Sequence, residues 1–155
     1  MPLPLQNVDD VINQYSGKSH QVLVYCQLMK ALVDQAKQPG FSEESWAPLA
    51  ELIETKDFQR IGNFKEEMDW SGYVAFLTGW AMGSEWECSF KRITEVGNTV
   101  FLELEERSVM GGFSSSVNSF SVYEFNANGK VQHVDVYLQM ELPDPGMLSN
   151  YEGVI

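Results

Sequence analysis

The chain has 155 residues, 44% apolar and 21% charged, which fits one globular domain and excludes a wholly disordered chain. Twenty-two acidic residues against ten basic ones leave a net charge of −12, a field that repels nucleic-acid phosphates and anionic membrane surfaces. Two cysteines, Cys26 and Cys88, and two histidines, His20 and His133, are too few for a disulfide scaffold or a four-ligand zinc site, and neither a metal nor a cofactor is expected.

The opening residues (MPLPLQNVDD) show neither the basic segment nor the apolar core of a signal peptide. With two free thiols, the expected location is the cytoplasm. Val8, Val11, Ile12 and Tyr15 follow the i, i+3, i+4, i+7 rule and predict a short helix ended by Gly17. A longer helix starts at Ser19 or His20. Val22, Tyr25, Met29, Leu32, Val33 and Ala36 form its main stripe, Leu23, Val24 and Leu28 widen it, and Pro39-Gly40 stops it. A third helix is predicted over 45–54, with Pro48 tolerated in the first turn. Residues 57–63 alternate as a short strand. Asp69 can cap a fourth helix over 70–82, with Tyr73, Phe76, Leu77 and Trp80 on one face.

From about Gly83 the period changes to two. Strands are predicted over 85–93, with Trp86, Cys88 and Phe90 on one face, and over 99–107, 117–125 and 130–140. Gly97-Asn98 and the NANG stretch at 126–129 are turns. The MGGFSSS stretch at 110–116 reads as a loop. It has no following helix and no P-loop lysine, so it is a hairpin connection or a pocket lid. Helices first and strands second read as α+β with an antiparallel sheet. One domain is expected over 1–142, including an extra N-terminal helix in 1–17, followed by a tail over 143–155.

The strand over 99–107 puts Glu103, Glu105 and Arg107 on one face and Val100, Leu102 and Leu104 on the other. If the charged face is concave, two acids and a base beside aromatics bind a polar group. If it is convex, they are solvated or interface charges that pair across strands. The leucines favour the convex reading. His133 shares a face with Asp135 and Tyr137, as a proton shuttle or as a surface residue.

The stretch SVYEFNANGKVQHVDVYLQ (121–139) joins an aromatic strand, a Phe-x-x-x-Gly-Lys hairpin and a strand ending Asp135-x-Tyr137. With the helices-then-meander order, it resembles the nuclear-transport-factor-two-like superfamily, the cone-shaped α+β fold of SnoaL-like proteins, ketosteroid isomerases and limonene epoxide hydrolases. The resemblance spans about residues 20–140. It implies N-terminal helices packed in a strongly curved mixed or antiparallel sheet, an apolar cavity open at one end, and a homodimer through the outer sheet face. Ser121 stands where ketosteroid isomerases hold a carboxylic acid. Arg107 matches the arginine of the epoxide hydrolase strand, but Val109 and Val136 replace its two aspartates, with Asp135 next to the second. Asn63 sits where that family has a water-positioning asparagine.

The resemblance thus implies a small apolar or aromatic ligand held in the cone, with Asn63, Tyr73, Trp80, Trp86, Phe90, Ser121 and Tyr123 near it. Each aromatic is either pocket wall or core filler. Any chemistry would be cofactor-independent acid–base work (isomerisation, dehydration or hydrolysis), with Glu105 or Asp135 moving the proton and Arg107 or Tyr123 stabilising the oxyanion. The other reading is a non-catalytic interaction or dimerisation module with a filled cone. No nucleic acid and no membrane is expected as a partner.

Overall fold

The computed structural model describes residues 2–141; the expected tail over 143–155 lies outside them. Four α-helices pack against one mixed sheet. Helix α1 (Val8–Val11) continues as a 3-10 turn (Ile12–Gln14), and α2 (Gly17–Gln35) follows. A second 3-10 turn (Glu43–Trp46) leads into the single turn of α3 (Ala47–Ala50). Strands β1 (Gln59–Ile61) and β2 (Glu67–Met68) come before α4 (Trp70–Gly83). The second half is β3 (Ser84–Val96), β4 (Thr99–Met110), β5 (Phe113–Phe125) and β6 (Val131–Gln139). The sheet order is β2-β1-β6-β5-β4-β3. All neighbours are antiparallel except β1 and β6, which run parallel.

The expected α+β class, with helices before an antiparallel meander, holds. Three elements differ from the sequence reading. The predicted third helix is only a 3-10 turn plus one α-turn, because the chain leaves it at Leu52 and Ile53 for the sheet, where Ile53 bridges Val131. The predicted loop over 110–116 is a hairpin turn at Gly111 and Gly112, both with positive φ, and the strands run right up to it. Alternation continues through its serines, which are poor markers of a strand. The two-residue β2 is too short for any pattern to reveal.

Strand register builds the core. Val100, Leu102 and Leu104 of β4 face inward beside Tyr123, Ser121 and Ser119 of β5. The predicted stripe of α2 is buried against them at Val22, Tyr25, Met29, Leu32 and Val33. Bulges after Phe90 and Glu124 bend the sheet around the helices. Trp46 is 1% exposed, and its Nε1 donates to Thr78 Oγ1 at 3.0 Å, pinning the short α3 region to α4. Truncating such a tryptophan costs about 3–5 kcal/mol. The N-terminal segment packs on the flank of the sheet, where Gln6 pairs with Phe90 and Val8, Val11 and Ile12 are buried.

Among the described residues no helix is long and apolar enough to cross a membrane, and no group of three or more His, Cys, Asp or Glu side chains is placed to hold a metal.

Candidate functional site

Helices and sheet do not close completely on each other. They leave a cavity of about 360 Å³. Tyr25 and Met29 of α2 and Tyr73, Leu77 and Trp80 of α4 form one side. Helical spacing puts Tyr73, Leu77 and Trp80 on one face, and Asp69 starts that helix by accepting from Gly72 N at 2.8 Å. The sheet forms the other side. Alternation there turns Trp86, Leu104, Glu106, Ser121, Tyr123 and Val134 inward together.

Polar groups gather at two places. The first is a tyrosine cluster. The Tyr25 and Tyr73 hydroxyls lie 3.1 Å apart, and the Tyr25 and Tyr123 rings meet edge to face at 5.6 Å. Arg60, level with Val134 and Tyr123 across the sheet, lays its guanidinium over the Tyr73 ring at 4.9 Å. Burial pushes the Tyr25 phenol well above its ordinary value, and Tyr73 and Tyr123 add to the shift. Tyr123 is raised by burial and then by Cys26, Tyr73 and Glu106, with Arg60 opposing. Both phenols are therefore neutral hydrogen-bond donors at any ordinary pH.

The second place is Glu106, the one carboxyl group in the cavity wall among the described residues. It lies between Cys88 of β3 and Val117 of β5, and the indole Nε1 of Trp86 donates to its Oε1 at 3.0 Å. Trp80 and Trp86 meet edge to face at 6.4 Å on the same wall. Burial, with Glu106 beside it, pushes the Cys88 thiol up to about 12, so it is no nucleophile. The two polar poles, with apolar walls between them, can hold a hydrogen-bond acceptor at one end and a donor at the other.

The sequence matches no protein-family model and no curated protein. Solved structures do match. An NTF2-like protein of unknown function from Cytophaga hutchinsonii superposes with a TM-score of 0.57 at 15% identity, covering 86% of this chain and 96% of that one. An LEH-like epoxide hydrolase of Mycobacterium tuberculosis gives 0.54 at 13% identity, covering 72% and 83%. The BvnE pinacolase of Penicillium brevicompactum gives 0.61 at 8% identity, covering 86% and 89%. The chain has the nuclear-transport-factor-two-like fold. Identities this low carry the architecture and leave the chemistry to the site.

Within this NTF2-like cone, Tyr73, Trp80, Trp86, Ser121 and Tyr123 line the cavity. Phe90 and Asn63 do not. Phe90 faces inward but packs against Tyr15, 5.9 Å between rings, as core. Asn63 instead ties β1 to the end of β6, its Oδ1 accepting from Leu138 N at 3.1 Å and its Nδ2 donating to Met140 Sδ at 3.6 Å.

The three residues expected to carry chemistry point the other way. Glu105 and Arg107 lie on the outer sheet face and pair with each other at 2.9 Å. Asp135 is also on that face, 3.0 Å from His133. The physical reason is register: Leu104 must face the core, so its neighbours at odd positions face out. The same alternation turns Glu106 inward, directly after Leu102 and Leu104. That signal was available in the sequence. Arg60 was visible only as a polar residue on the Phe58 face of a short strand, and Tyr25 only as part of a helical stripe.

Proposed function

We propose that this domain binds a small, largely apolar molecule inside the cone. The single supporting observation is the cavity itself, with apolar walls, a tyrosine cluster under Arg60 at one pole and Glu106 at the other. A volume of about 360 Å³ lies at the lower end of the range for small-molecule sites. A carbonyl or hydroxyl oxygen fits the pole of Tyr25, Tyr73 and Arg60, which also suits negative charge developing on that oxygen. Glu106 suits a proton or a positive charge. The finer reading is cofactor-independent acid–base conversion (isomerisation, dehydration or hydrolysis), in line with neighbours named as an epoxide hydrolase and a pinacolase. In this reading Glu106 and Arg60 take the roles first given to Glu105, Asp135 and Arg107. A cytoplasmic location goes with it, since both cysteines are free thiols.

Self-association through the outer sheet face belongs to the same proposal. Phe101, Phe120 and Tyr137 meet across three strands there, the first pair stacked at 5.8 Å and the second tilted at 6.2 Å between ring centroids, and Phe120 and Tyr137 are exposed. The reading of the chain as a non-catalytic module with a filled cone is disfavoured by the open cavity.

The test is a thermal-shift screen with apolar alcohols, ketones, amines and carboxylates on the wild type, Tyr73→Phe and Glu105→Gln. Ligand at 100 times Kd adds about 2.7 kcal/mol, a rise of several degrees in midpoint. At least one class should stabilise the wild type and Glu105→Gln alike and Tyr73→Phe less. No stabilisation by any class would refute the proposal.

A further inference from the structure

The carboxyl groups of β4 fall into two sets. Glu103 and Glu105 face outward, and each is matched to an arginine: Glu103 to Arg92 and Glu105 to Arg107. Glu106 faces inward, and among the described residues no basic side chain lies within 4.0 Å of it. Its protein hydrogen bond comes from a neutral indole, to one oxygen only. The other oxygen has no protein partner among the described residues. Glu106 is half-buried at the cavity wall, so its free oxygen is open to a ligand that brings a positive charge.

The surroundings of Glu106 are those that favour a cation. The indoles of Trp80 and Trp86 stand edge to face at 6.4 Å and line the same cavity. The faces of such rings attract ammonium groups, tryptophan most strongly. Among the described residues, Arg60 is the basic side chain in the wall and stands at the other pole over Tyr73, so none of them puts a cation at Glu106. A net charge of −12 draws cations toward the molecule and repels anions from it.

We infer that Glu106, Trp80 and Trp86 form a recognition site for a protonated amine, so that the ligand is an apolar body carrying an ammonium group. This rests on the reading of the cavity as a ligand site. The amine nitrogen donates to the free oxygen of Glu106 while its charge lies against the indole faces. The apolar body extends over Leu104 and Met29 toward the tyrosines.

The experiment is titration calorimetry with three probes of one shape: phenylbutylamine, phenylbutanol and phenylbutanoate. At pH 7 the amine is protonated, because alkylamines titrate at about 10. The wild type should bind the amine at least tenfold more tightly than the alcohol, and the acid most weakly; this ranking needs no variant. In Glu106→Gln the amine-to-alcohol ratio should collapse to within about twofold. Trp80→Leu should lower it several-fold, and the outward Glu105→Gln should keep it. If alcohol or acid binds as tightly as the amine, or if Glu106→Gln keeps the ratio, the ammonium assignment is wrong while the cavity reading survives. If none of the three binds, the ammonium assignment falls, and the thermal-shift screen across ligand classes decides the cavity reading separately.

Discussion

The Tyr25 hydroxyl lies 3.1 Å from that of Tyr73, joining α2 to α4 beneath the cavity. Both residues are buried apart from the cavity wall they form. Tyr25→Phe should cost about 1 kcal/mol in urea unfolding, the usual worth of one such bond with a group left unpaired. It should also weaken ligands that present an oxygen to this pole. Unchanged unfolding would mean that the two hydroxyls do not depend on each other.

Glu95, near the end of β3, caps α2 from a distance of 76 residues in sequence: its Oε1 accepts from both the backbone N and the Oγ of Ser19 at 2.8 Å. These bonds favour the charged carboxylate and hold its pKa below the ordinary 4.5. The folded value is lower than the unfolded one. The contribution is therefore complete above pH 4.5 and disappears as pH falls through the folded value. Glu95→Gln should cost up to about 1 kcal/mol at neutral pH, and its stability should fall less steeply on acidification than that of the wild type. Parallel acid-denaturation curves for the two proteins would count against this role.

Cys26 and Cys88 are both shielded thiols. Burial is the first cause of each shift, carrying Cys88 up to about 12 and Cys26 well above its ordinary value. Neither forms thiolate at pH 8, so iodoacetamide followed by mass spectrometry should find both unmodified in the native protein and both labelled in urea. Fast native labelling would show that this flank of the sheet opens readily.

The outer aromatics give a separate test. Phe120→Asp places a charge between Phe101 and Tyr137, which flank it at 5.8 and 6.2 Å. Sedimentation should show the wild type as a dimer and the variant as a monomer with its ligand binding retained. A monomeric wild type would remove the outer face from the proposal.

What was legible in the sequence was what depends on period and punctuation. The stripe of α2, the Asp69 cap and the Asn126 turn each needed only a few neighbouring residues to declare themselves. Element order alone gave α+β, and the cone came with the family resemblance carried by that order and the 121–139 stretch. The polar side of the site was harder. Trp80 and Trp86 stood out as aromatics; Glu105 and Glu106 are adjacent and identical, and the alternation of Val100, Leu102 and Leu104, legible in the sequence, is what turns Glu106 into the cavity. Arg60 was hidden because its short strand joins the sheet through a parallel pairing with β6, more than seventy residues away. No local pattern reports such a pairing.

The Gln6–Phe90 pairing has a consequence for how the molecule behaves in company. Gln6 N donates to Phe90 O at 3.0 Å, and Phe90 N returns a bond to Gln6 O at 2.7 Å, at the midpoint of the outermost strand β3. At the opposite border the sheet ends in β2, which is two residues long. Neither border offers an uninterrupted ladder of open amides and carbonyls for a foreign strand to copy, which guards a crowded solution of this protein against fibril-like stacking.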